Sequence, residues 1–229
     1  MHGTGALLII LGGVMEGLFS LPVKLTPKWA WENIWGSGSL AALVLVPVPL
    51  LVLTVPQFRA VYAAAPTWAI VWTIIFGAGW GLGGIFFGLG VSELGLSLGT
   101  SSIMGLIAIS GSVVPLLLQH HGQLLGNSSI ALFSGIGVML IGLIVCSRAG
   151  SLKMPSQSSS SVSNSGPSFV RGAFYCLVAG LLSALVNFAL IFGAPLAKAA
   201  IDSGAPPAAA NNVIWAIAIA ANYLVNFVY

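Results

Sequence analysis

Seven long apolar runs decide what this chain can become. They lie at about Thr4–Val23, Ile34–Val55, Thr67–Val91, Leu96–Leu118, Ile130–Cys146, Val170–Ala194 and Ala208–Tyr229, parted by short polar stretches. A hydrocarbon layer about 30 Å thick is crossed by a helix of roughly 20 apolar residues, so each run has the length of one crossing. In lipid the backbone must satisfy its own hydrogen bonds, which leaves helices or closed barrels. Barrel strands would read as alternating segments of about ten residues, whereas these runs are continuous. The expectation is an all-α membrane protein, a polytopic bundle of about seven transmembrane helices. Only 5% of the residues are charged, against about 25% in a soluble domain, so a large water-facing domain is excluded.

The first run has no basic segment before it and contains Glu16, so it reads as a retained span rather than a signal peptide. Pro47 and Pro49 remove backbone donors from the second run and predict a kink. Loops are expected at Arg59, over Ser92 to Gly95, at His120–His121, and over Lys198, Asp202, Pro206 and Pro207. The one low-complexity stretch, Ser156 to Ser168, is rich in Ser and reads as a flexible linker. Lys24, Lys28, Arg148, Lys153 and Arg171 fall on one side of the alternating spans, and Arg59 and Lys198 on the other. The positive-inside rule then puts the linker in the cytoplasm and the N-terminus outside. The net charge of +3 is read as this loop bias and not as a nucleic-acid surface.

Within the spans, Gly77, Gly81, Gly84 and Gly88 share one helical face, with Gly79, Gly83 and Gly90 beside it. Small residues let helix backbones approach closely where lipid offers no hydrophobic drive, so the face is either a packing surface or a helix free to slide beside a substrate path, with Trp80 as its aromatic wall. Glu16 is costly in a span, at roughly 2.5 to 3.5 kcal/mol for an acid at the helix centre. With Gly12, Gly13, Phe19 and Ser20 as helical neighbours, it is either a proton-coupling or substrate-binding group or a structural acid. Ser183 with Asn187, and Asn211 with Trp215, Asn222 and Asn226, each fall on roughly one face. Amides there either bond between helices or meet a neutral polyhydroxylated ligand. His120–His121 has no third ligand nearby in sequence, so no metal is expected, and Asn127-Ser128-Ser129 fits a glycosylation pattern only weakly. Cys146 and Cys176 make neither a disulfide framework nor a CxxC site.

Four segments together resemble the L-rhamnose-proton symporter family: Lys28-Trp29-Ala30-Trp31-Glu32-Asn33-Ile34-Trp35, Phe76 to Gly83 (FGAGWGLG), Leu94 to Gly99 (LGLSLG), and Arg148 to Lys153 (RAGSLK). The resemblance runs from the first span to the linker; the sixth and seventh spans match only by pattern. It implies the drug/metabolite transporter superfamily, whose ten helices form two inverted five-helix halves. Residues 1–149 would then be the first repeat, 150–169 the cytoplasmic linker, and 170–229 the first two helices of an incomplete second repeat, which makes the chain look truncated. It further implies uptake of an L-rhamnose-like sugar with a proton across the inner cell membrane, with the gradient as the energy source and no cofactor. Glu16 is the candidate for proton coupling or substrate, and Trp80, Asn187, Trp215 and Asn222 are candidate lining groups near the midplane, where such transporters bind. Export of small metabolites or lipophilic cations, and a nontransporting membrane protein, remain alternatives. An enzyme is not expected, because no Ser–His or paired-carboxylate arrangement is present. ATP-driven transport is not supported, since the Gly-rich third span lacks the Lys and Ser/Thr of a phosphate loop.

Overall fold

A computed structural model describes residues 2–18, 21, 25, 26, 28, 29, 31–119, 127–152 and 167–228. Among them every regular element is helical: α1 (His2–Gly17), α2 (Trp31–Leu40), a π-helical segment (Ala41–Leu45), α3 (Pro47–Thr54), α4 (Phe58–Ala64), α5 (Thr67–Leu94), α6 (Leu96–Gln119), α7 (Asn127–Leu152), α8 (Pro167–Ser183), α9 (Leu185–Phe192), α10 (Ala194–Asp202), a 3₁₀ turn (Pro207–Ala209) and α11 (Asn212–Val228). Among the described residues four stretches are long and apolar enough to cross a membrane, Gly36–Thr54, Thr67–Leu94, Phe169–Asp202 and Pro207–Val228, and Leu98–Gly111 and Phe133–Gly142 are shorter apolar helices.

The second span departs from regular α-helix just before its first proline. Pro47 has no N–H and its ring crowds the carbonyl four residues back. The turn before it accordingly widens, with the Val46 N–H donating to the Ala41 carbonyl at 3.1 Å, five residues back, as a π-turn does. Three expected loops differ from the structure. Ser92 to Leu94 are helical, so α5 and α6 are parted by Gly95 alone, whose φ of 81° is a left-handed conformation that glycine adopts without steric cost. Arg59 lies in the short helix α4. Lys198 and Asp202 lie in α10, paired at 3.0 Å across one helical turn, so the helix outlasts the apolar run. The sixth run is also interrupted, at Ala184 and again at Gly193.

α5 is the centre of the bundle. Gly77 and Gly81 lie against Ala218 and Asn222 of α11, so these two helices run parallel; Gly83 and Gly90 lie against Ser183 and Cys176 of α8, which runs antiparallel. Along α6, Leu106 meets Gly180 and Gly111 meets Asn187. At one end, Leu51, Val55, Val61, Leu196, Ala205 and Val213 belong to one core cluster, drawn from α3, α4, α10 and α11 and the turn between the last two. Towards the other end, Ile103, Cys176 and Ala179 pack with Phe86, Phe87 and Val91.

Candidate functional site

Trp80 is the fourteenth of the 28 residues of α5, close to mid-depth. Its ring meets Trp215 of α11 edge-on, with centroids 6.3 Å apart at 70°. Two turns further along α11, Asn222 is 5% exposed, and its Oδ1 accepts from the Asn226 Nδ2 at 3.0 Å. The same amide donates to the Asn222 carbonyl at 3.0 Å and to the Gly81 carbonyl at 3.4 Å. Gly81 makes this possible, because a Cβ there would sit 3.0 Å from the Asn222 Cα. The α5–α11 seam thus brings together Trp80, Trp215, Asn222, Gly77 and Gly81. Both rings are half-buried, and the amides beside them spend their hydrogen bonds partly on tying the two helices.

Asn187 lies on a different seam. Its Nδ2 donates to the Ala184 carbonyl at 3.3 Å, at the break between α8 and α9, and it packs on Gly111 of α6. Ser183, one residue before the break, is 7% exposed and faces Gly83. Gly84 and Gly88 are half-buried. Glu16 lies in the last turn of α1. Nothing lies within 4 Å of a Cβ at Gly12 or Gly13, so the small face expected to turn inward is open there. The Glu16 side chain lies outside the described residues, as do His120, His121 and the linker over 153–166.

The structure adds an aromatic cluster that the sequence reading did not single out. Trp72 stacks on Phe76 at 5.4 Å, and Phe76 meets Phe188 and Phe192 of α9 at 5.7 and 5.2 Å. The signal was present as aromatic residues at 72, 76 and 80, and at 188 and 192, each four apart on one helical face. Glu93, at the end of α5, pairs with Arg171 of α8 at 2.5 Å. Tyr62, in the connection outside the spans, donates to the Val213 carbonyl at 2.9 Å, and burial pushes its pKa up to about 12. Two cavities accompany these seams. One of about 390 Å³ lies between α6 and α7, and one of about 160 Å³ lies by Val55, Gln57 and Ser203. Neither is lined by Trp80, Asn187, Trp215 or Asn222. Among the described residues no cluster of three or more His, Cys, Asp or Glu could hold a metal.

Apolar helices joined by short turns, with mid-depth aromatic and amide groups, define a multi-pass helical membrane protein. The family model described as L-rhamnose-proton symport protein (RhaT) matches residues 3–229, and the chain belongs to that family, a family of transporters and not of enzymes. It is 28% identical over 200 residues to the L-rhamnose-proton symporters of Escherichia coli O1:K1 / APEC and of Shigella boydii serotype 18, which covers 86% of this chain and 57% of each relative. The chain therefore spans less than two thirds of the length of these curated relatives. No solved structure matches it.

Proposed function

We propose that the chain acts in secondary active transport, carrying an L-rhamnose-like sugar into the cell together with a proton. The observation that carries this reading is the family match over residues 3–229. The proton gradient supplies the energy without a cofactor, and the site of action is the inner cell membrane. The architecture in this reading has seven spans within a ten-helix inverted-repeat fold. Residues 1–149 form the first five-helix repeat, 150–169 the cytoplasmic linker and 170–229 the start of the second repeat. Alternating spans require the third to run antiparallel to the sixth and parallel to the seventh, and the contacts of α5 with α8 and α11 have those senses.

The Trp80–Trp215 pair suits the apolar face of a deoxyhexose, and the amides of Asn222 and Asn187 suit its hydroxyls. Buried donors and acceptors discriminate strongly against a ligand that leaves them unpaired. Glu16 takes up the coupled proton, since a carboxyl whose access to water alternates can bind and release one. The test is uptake of labelled L-rhamnose into proteoliposomes with and without an inward proton gradient. Gradient-driven uptake that is abolished in Glu16→Gln and lowered in Trp80→Ala is the expected result. Uptake indifferent to the gradient, or none from correctly inserted protein, refutes the reading.

A further inference from the structure

The cleft between α6 and α7 has an uneven lining. Ser101 and Ser102 come from the second turn of α6 and Arg148 from the end of α7, while Ile109, Leu140 and Ile144 make an apolar trough. The seven residues 120–126 between the two helices let Gln119 and Asn127 stand at most about 29 Å apart. That is short of the roughly 36 Å length of α6, so α7 must return antiparallel. Arg148 is thereby brought level with Ser101 and Ser102, at the end of the bundle that also holds the Glu93–Arg171 pair. Arg148, like Ile144, lies beyond the apolar stretch Phe133–Gly142, Ser101 and Ser102 lie near the start of Leu98–Gly111, and Ile109 and Leu140 lie within the two stretches. The polar end of the cleft thus lies towards one edge of the apolar layer and the trough runs inward from it, open to the side at Ile144, which is 60% exposed.

We propose that this cleft binds one anionic glycerophospholipid of the bilayer, with its phosphate at Arg148 and Ser102 and an acyl chain along Ile109, Leu140 and Ile144. Its volume of about 390 Å³ is within the roughly 300–1,000 Å³ range of small-molecule sites. A guanidinium offers five donors in a fork that fits phosphate oxygens, so a protein partner for Arg148 leaves donors for the lipid. The Ser101 hydroxyl gives its proton to the Leu98 carbonyl at 3.2 Å, so the hydroxyl donor that stands beside Arg148 at this end is that of Ser102. A neutral sugar fits this lining poorly, because the trough would leave its hydroxyls unpaired. Basic pockets between spanning helices on the cytoplasmic side are suited to anionic headgroups, and the charge bias places this end there.

The test is native mass spectrometry of the delipidated chain titrated with phosphatidylglycerol or phosphatidylcholine of matched acyl chains. The chain is expected to retain one phosphatidylglycerol with a preference of roughly five- to tenfold over phosphatidylcholine. R148Q should lose the preference while keeping weak binding of both lipids. I144W, a change at an exposed position that fills the mouth of the trough, should lower occupancy by both. R171Q, at the same end but outside the cleft, should leave the preference intact. Equal retention of the two lipids, a preference that survives in R148Q or falls equally in R171Q, or unchanged occupancy in I144W overturns the proposal. Competition by glycerol phosphate as effective as by the lipid assigns the site to a free phosphate and overturns it too.

Discussion

Gly77→Ala tests the α5–α11 seam with a single methyl group. A Cβ at position 77 would lie 2.7 Å from the Ala218 Cα and 2.9 Å from its carbonyl carbon, where ordinary contact begins at 3.4 Å. These neighbours are backbone, so no side chain can rotate away, and α11 must retreat by about 0.5–1 Å. A gap of that size forfeits a quarter to a half of each contact's attraction, and overpacking of this kind costs about 1–3 kcal/mol. Alanine offsets about 0.5–1 kcal/mol of this through its better helix propensity. The net expectation is a loss of about 1–2 kcal/mol, placed towards the upper part of the overpacking range because several backbone atoms crowd the site at once. The control is Gly135→Ala in α7, where nothing lies within 4 Å, so only the propensity gain remains. Unfolding in a denaturing detergent series, followed by tryptophan fluorescence, reads both variants. A Gly77→Ala protein at least as stable as the parent, and indistinguishable from Gly135→Ala, would show that the two helices are not in backbone contact.

Tyr62 carries a pH prediction: with a pKa near 12 in the fold against 10.0 ordinarily, the unfolded chain releases this proton first. The stability tied to the neutral phenol is whole below pH 10 and is lost as the pH rises from about 10 to about 12. Tyr62→Phe should cost about 1 kcal/mol at neutral pH through the lost bond to Val213 and flatten that alkaline slope, and an unchanged slope would contradict it. For Glu93 and Arg171, whose side chains are 20% and 57% exposed, a double-mutant cycle with Glu93→Gln and Arg171→Gln should give a coupling of about 0.5–1 kcal/mol that shrinks in high salt. Zero coupling at low salt would reduce the pair to a chance approach.

The apolar runs made the helices legible because hydropathy reports the thickness of the layer a segment crosses. Interruptions inside a run leave no such mark. Ala184 and Gly193 break the sixth run without lowering its hydropathy, and Lys198 and Asp202 lower it without ending the helix, since a helix can project past the lipid on an i,i+4 ion pair. The glycine pattern was legible as a readiness for close approach, but spacing names no partner. Gly77 and Gly81 turn to α11 while Gly83 and Gly90 turn to α8, and only the placed backbone separates these faces. The aromatic and amide candidates divide for the same reason. Trp80, Trp215 and Asn222 meet because α5 and α11 run parallel in register, whereas Asn187, equally apt by residue type, shares with Gly180 and Ala184 the helical face that lies against α6.

Gly193 and Gly204 separate two reasons for glycine. At Gly193 φ is −80°, a conformation open to any residue, but a Cβ would meet the Ala189 carbonyl oxygen at 2.7 Å, Ile214 Cγ2 at 2.8 Å and Thr73 Oγ1 at 3.0 Å. Space is the constraint, because α5, the α9–α10 break and α11 converge on that point. At Gly204 nothing lies within 4 Å, and the constraint is the backbone itself, at φ 91°. Alanine should therefore destabilise at both positions, by about 1–3 kcal/mol at 193 and about 1–2 kcal/mol at 204. Asparagine divides them: it tolerates positive φ better than other side chains, so Gly204→Asn should recover part of the alanine loss, while Gly193→Asn, larger than alanine in the same crowded space, should be worse than Gly193→Ala. Thermal unfolding of the four variants in one detergent gives the order. If asparagine improved on alanine at Gly193, the close meeting of the three helices there would be wrong, and with it the register that sets Thr73 of α5 against Ile214 of α11.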